Sequence, residues 1–178
     1  MTPDPADLER QHLADLLEAM RRCAFYSYRL SLAIPWPLTA NDLESRCHDL
    51  DLFDKLAAFN ERFAKLQDSA AVAMRHSILL SGETATTFLE VLGFFEKIGV
   101  VKSIRDWQRI RTLRNMAAHD YSIHYSDIAL HFNALHEVLP DLISVAVRLI
   151  NYCSAKLFIT PRNILFASEW EEIVKRYE

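Results

Sequence analysis

Glycine is scarce in this chain. Only 3 of the 178 residues are Gly, which argues against a fold built on tight hairpins, whose turns draw on glycine for positive φ. Cysteine is equally sparse. Cys23, Cys47 and Cys153 lie far apart and are odd in number, and no pair has metal-ligand spacing. Neither a disulfide framework nor a zinc site follows, and this usage fits a reducing cytosol. The N-terminus is acidic and polar, without the charged-then-apolar pattern of a secretory signal. No apolar run reads as long enough to span a bilayer. A cytoplasmic protein with no membrane partner is therefore expected. There is no internal repeat and no low-complexity tract. An excess of positive charge is also missing. With 20 Lys and Arg against 24 Asp and Glu, the formal net charge is -4, which excludes a basic nucleic-acid coat.

What is present is helix-forming material. Leu, Ala, Glu and Arg are plentiful, and these residues favour helix. Hydrophobic residues make up 51% and charged residues 25%, as in ordinary globular domains. The length suits one domain with a real core.

Taken in order, Asp4 is placed to cap a helix with Pro5 at its first position. Leu8, Leu13, Leu16, Leu17, Met20, Phe25, Tyr28 and Leu32 then recur at helical spacing over about 5–33. Pro35 and Pro37, flanking Trp36, break that helix, and Trp36 is placed to cover a core edge. Residues 41–47 read as a short helix with Asn41 as cap and Glu44 in the capping-box position, or else as irregular loop. A second long helix spans 50–81, with Phe59 and Phe63 on its apolar face and Gly82 as its stop. A further helix is expected over 84–99. Ser103, with Asp106 three residues on, caps the next one. Helical spacing resumes at Tyr125 or Ser126 and runs to about Lys156, with Pro140 kinking or dividing it. His124, His131 and His136 are scattered here without an i, i+4 pair or a matched acid, so no metal site is expected. Residues 158–166 read as loop. Ser168-Glu169-Trp170-Glu171 forms a capping-box pattern opening a short final helix to Arg176. The expected fold is all-α, an up-and-down bundle of about five to seven helices, because short connections favour antiparallel neighbours.

The densest set of reactive groups is Arg114-Asn115-Met116-Ala117-Ala118-His119-Asp120-Tyr121. It ends a basic segment. Between 101 and 119 there are five bases, Lys102, Arg105, Arg109, Arg111 and Arg114, against the single acid Asp106. Local patches of this kind can bind phosphate within an acidic protein. At ~100° per residue, Trp107, Ile110, Leu113 and Ala117 make one apolar sector, and Arg114 falls inside it. Lys102, Arg105 and Arg109 gather on a different face. An arginine in an apolar stripe is costly unless paired. Either Arg114 lies along the stripe and caps a carbonyl or meets an internal acid, or it sits at a subunit interface to receive an anion. His119 lies roughly 140° around the helix from Arg114. Either the helix loosens near Ala118, or one site joins this arginine to the histidine of a second copy. A structural role for His119, as a cation at a helix C-terminus, is the alternative.

The pattern of Arg, a polar residue, three more, His, any residue and Tyr, on a helical bundle, resembles the HEPN superfamily. Residues 114–121 match the Arg-x4-His-x-Tyr form of HepT-like ribonuclease toxins. Phe94-Phe95-Glu96-Lys97-Ile98-Gly99-Val100 and the long helix after the motif are also similar, so the resemblance covers about 50–153. Residues 1–48 stand outside it, as an N-terminal helical extension of a single domain over 1–178. The resemblance implies a homodimeric, metal-independent endoribonuclease without a cofactor, acting on RNA such as tRNA or mRNA. It implies that Arg114 binds the scissile phosphate, His119 acts as general base or acid, and Asn115 orients the phosphate or the catalytic pair. Lys102, Arg105, Arg109 and Arg111 would contribute RNA contacts. It further implies a nucleotidyltransferase antitoxin of the MNT type that adds AMP to Tyr121. Two other readings remain open: a non-catalytic HEPN-like module that binds such a partner or a nucleotide, and a purely structural helical adaptor.

Overall fold

The computed structural model describes residues 4–119 and 124–178. The described chain is all-helical: α1 Pro5–Ala33, α2 Ala40–Ser45, α3 Leu50–Ser81, α4 Phe88–Lys97, α5 Ile104–His119, α6 Tyr125–Tyr152 and α7 Ala167–Tyr177, with one π turn, Cys153–Leu157, continuing α6. No strand occurs among the described residues.

Most of the starts are set by short polar side chains. Asp4 accepts from the Ala6 N–H with Pro5 in the first turn, Asp49 accepts from Leu52, and Thr87 and Glu90 form a reciprocal capping box. Each satisfies backbone donors that a helix start leaves open. Ser103 caps α5 as expected: its Oγ accepts from the Asp106 N–H at 3.0 Å and donates to the Asp106 carboxylate at 2.7 Å. Two expected starts are corrected. Thr39, not Asn41, caps α2, accepting from the Asp42 N–H at 3.1 Å. At α7 a backbone turn, Ala167 N–H to the Ile164 carbonyl, starts the helix early. Ser168 is then already helical, and its hydroxyl donates to Glu169 instead of capping. Gly82 ends α3 at φ 76°, a left-handed conformation that glycine adopts without a Cβ clash. The helix expected over 84–99 is shorter, Phe88–Lys97.

The three long helices share one core. Leu13, Leu17, Met20 and Ala24 of α1 are fully buried, as are Phe59, Phe63, Leu66 and Ala70 of α3 and Leu135, Leu142, Ile143, Ala146 and Leu149 of α6. The pairs His76–Glu9, Arg62–Tyr26 and Phe59–Trp36 run in opposite chain order, so α1 and α3 are antiparallel. Phe53 meets Tyr125 and Ser77 meets Cys153, so α3 and α6 run parallel, with α4 and α5 between them in the chain. Trp36 covers a core edge. It packs on Phe59, stacks on His136 with centroids 4.2 Å apart, and donates to the Ser31 carbonyl at 2.8 Å. Asn133 of α6 pins the same loop, accepting from the Leu38 N–H and donating to the Leu38 carbonyl.

α6 is continuous through Pro140, which neither divides nor ends it. With the π turn it forms a 33-residue unit that is long and apolar enough, by length and composition, to cross a membrane. This corrects the expectation that no apolar run suffices. The stretch is interrupted by Asp127, His131, His136, Glu137, Asp141, Arg148 and Lys156, so it does not read as a run until it is seen as one helix. More than half of its best window, 56%, is buried inside the bundle, where its apolar side chains meet other helices.

Candidate phosphate-binding groove at α5

α5 is anchored at its start and along one face. The Ile104 N–H donates to Glu96 Oε1 at 2.9 Å. The preceding corner is held by Val100 and Val101, whose N–H groups both reach the Phe95 carbonyl. Trp107 and Ile110 are buried, and Trp107 packs near Phe88 of α4. Burying that face sets the helix rotation. It turns Arg111, Arg114 and Asn115 towards α3.

Arg114 does meet an acid. Its Nη2 donates to Asp68 Oδ2 at 2.5 Å, and its Nη1 donates to Asn115 Oδ1 at 3.0 Å. The pair sits at the surface, with side chains 31% and 51% exposed. Arg114 Nε is enclosed and has no hydrogen-bond partner among the described residues. The guanidinium is therefore held in place with part of its donor set unused.

Around this pair lies an open groove of about 280 Å³ between α3, α4 and α5. Its charged and polar lining is Gln67, Asp68 and Arg75 from α3, with Arg111, Arg114 and Asn115 from α5; Phe88 of α4 supplies an aromatic wall. Three arginines against one aspartate give the lining a formal charge of +2. Arg75 is laid over the Phe88 ring, its Cζ 4.8 Å from the centroid. In the sequence Arg75 reads as a base near the end of α3, where the helix dipole favours it, with a functional role as the alternative. Its place opposite α5 depends on how the two helices pack.

The other expected RNA contacts do not join this groove. Lys102 is exposed just ahead of α5, Arg105 and Arg109 are exposed on another face of the helix, and Arg109 pairs with Glu137 of α6 at 3.1 Å. Only Arg111 of those four lines the groove. The backbone of α5 is helical through His119, so no loosening occurs near Ala118. The His119 side chain and residues 120–123, Tyr121 among them, lie outside the described residues.

Two thiols are poor nucleophiles. Burial pushes the Cys153 thiol up to about 11, against a weaker opposing hydrogen bond with Ser77. Burial also raises Cys23, despite the nearby Arg62. A thiol held protonated is unreactive. Among the described residues no group of three or more His, Cys, Asp or Glu is arranged to hold a metal ion.

No family model matches this chain, and no curated protein or solved structure is similar enough to it to count as a match.

Proposed function

We propose that this chain is a metal-independent endoribonuclease, a HEPN-type toxin, whose site is built on Arg114, Asn115 and His119. The observation that carries the reading is the groove itself: the arginine of the Arg-x4-His motif is partly exposed, has unused donor capacity, and lies in a lining of net positive charge. Such a surface favours a phosphodiester.

In the proposed reaction the RNA 2′-hydroxyl attacks the adjacent phosphorus and the bond to the 5′-oxygen breaks. His119 takes the proton from the 2′-hydroxyl or supplies one to the leaving 5′-oxygen, a role that suits imidazole near neutral pH. Arg114 and Asn115 stabilise the charge that grows on the phosphoryl oxygens. Internal attack leaves a cyclic phosphate and uses no external nucleophile. With α5 helical through His119, Arg114 and His119 of one copy diverge by roughly 140°. That favours a homodimer in which a cleft takes residues from both copies. A nucleotidyltransferase partner adding AMP to Tyr121 would place bulk and negative charge beside the cleft and repel RNA. A cytoplasmic location belongs to the same proposal, because its RNA substrates are made and used there.

The Asp68 pair favours a second reading, a non-catalytic module that binds a nucleotidyltransferase or a nucleotide, because a carboxylate already occupies part of Arg114. RNA cleavage in the presence of chelator, by wild type beside His119→Ala, separates the two. Cleavage by wild type alone is expected, with products ending in a cyclic phosphate. Absence of cleavage of tRNA and mRNA by protein shown by mass spectrometry to lack AMP on Tyr121 would overturn the nuclease and favour the binding module.

A further inference from the structure

We propose that the groove contains a second phosphate subsite, in which Arg75 and Arg111 take the RNA backbone phosphate next to the one held by Arg114. The inference rests on the ribonuclease reading for the identity of its ligand, but its site is defined by other residues.

Three observations carry it. First, Arg75 and Arg111 have no carboxylate or hydrogen-bond partner among the described residues, whereas the neighbouring Arg109 and Arg114 each have one. Two unneutralised guanidinium groups facing one groove repel each other, and an anion between them relieves that. Second, Arg75 is positioned rather than loose. Its guanidinium lies over the Phe88 ring, 4.8 Å from the centroid, and that contact uses none of its N–H groups as hydrogen-bond donors, which leaves them for a phosphate. Third, the spacing suits a strand and not a single ion. Asp68, which marks the Arg114 end, and Arg75 are seven residues apart on α3. That is two turns on one face, roughly 10 Å along the axis. Arg111 stands one turn before Arg114 on α5, on the same groove. The line of guanidinium groups thus extends from the motif towards the N-terminus of α4. A single strand entering at Arg114 would lay its next phosphate between Arg111 and Arg75.

The test uses intact wild-type protein and a fluorescein-labelled oligouridylate carrying 2′-O-methyl groups. This probe keeps the phosphates but has no 2′-hydroxyl to attack, so binding is read without cleavage. Affinity is measured by polarisation over a range of salt. Arg75→Gln is expected to weaken binding about tenfold and to make the dependence of log affinity on log salt shallower by about 0.7, the slope of one single-strand phosphate contact. Arg111→Gln is expected to do the same, and Arg75→Lys to keep the wild-type slope. Lys156→Gln, away from the groove, is expected to change neither quantity. Wild-type affinity and slope in both Arg75→Gln and Arg111→Gln would overturn the subsite, as would failure of the wild type to bind the probe. The two readings fail separately. Arg75-dependent binding by a protein that cleaves no unmodified RNA leaves the subsite and removes the nuclease. Cleavage with binding indifferent to Arg75 and Arg111 does the reverse.

Discussion

Arg114 carries five N–H donors in one plane, and Asp68 occupies only one of its terminal nitrogens. A phosphate prefers two adjacent donors of the fork, so an incoming phosphodiester competes with Asp68. The pair is half-exposed and so contributes little to folding, about 0–1 kcal/mol. Asp68→Asn is therefore expected to leave the urea midpoint nearly unchanged. Binding of the 2′-O-methyl oligouridylate should tighten several-fold, roughly 1 kcal/mol, as a competing charge leaves the groove. Weaker binding by Asp68→Asn would instead show that Asp68 aims Arg114 at its ligand. At this scale much was legible. An arginine in the apolar sector of α5 needed an anionic partner, and the structure supplies one. Which acid was not legible, because Asp68 is 46 residues away and only packing brings it near.

Among the elements, α6 carries the largest local conflict. Pro140 has no N–H, so the His136 carbonyl lacks its usual donor four residues on. The helix nevertheless runs unbroken from Tyr125 to Tyr152. Pro140 is exposed while Val138, Leu139, Leu142 and Ile143 are buried. The cost of the missing bond thus falls on the outer face, and the buried face holds the helix together. Pro140→Ala is expected to stabilise the protein by about 1–3 kcal/mol, seen as a higher urea midpoint with an unchanged slope. A lower midpoint would mean that the proline is matched to the local geometry of α6. The sequence pattern located this conflict but not its outcome, since local propensity cannot weigh one lost hydrogen bond against a buried face.

At the scale of the whole molecule, α1 is part of the core and does not lie outside it. Its buried Leu13, Leu17 and Met20 pack in the same cluster as Phe59, Phe63 and the apolar face of α6. A substitution at the centre should then weaken all three helices together. Phe63 is fully buried, and Phe63→Ala is expected to cost about 3–5 kcal/mol. Hydrogen exchange should show the loss of protection in α1, α3 and α6 alike, in one cooperative transition. Loss confined to α3 and α6, with α1 unchanged, would make residues 1–48 an independent extension.

The helices themselves, their number and most of their boundaries were determined by the sequence alone. Helical periodicity, two close prolines and short polar caps act over a few residues, so they are visible without a fold. Asp4, Ser103 and Gly82 act where the pattern placed them. At 39–42 and 164–169 the helix starts at a turn upstream of the one the pattern favoured. The groove was decided only by tertiary structure. Arg75, Asp68, Phe88 and Arg111 come from three helices; Asp68 and Arg75 share a face of α3, but nothing in the spacing along the chain relates that face to Phe88 or Arg111. Burial of Trp107 and Ile110 sets the rotation of α5. Helical periodicity already set Arg105 and Arg109 apart from Arg114, and that rotation decides that it is Arg111 and Arg114 that face α3.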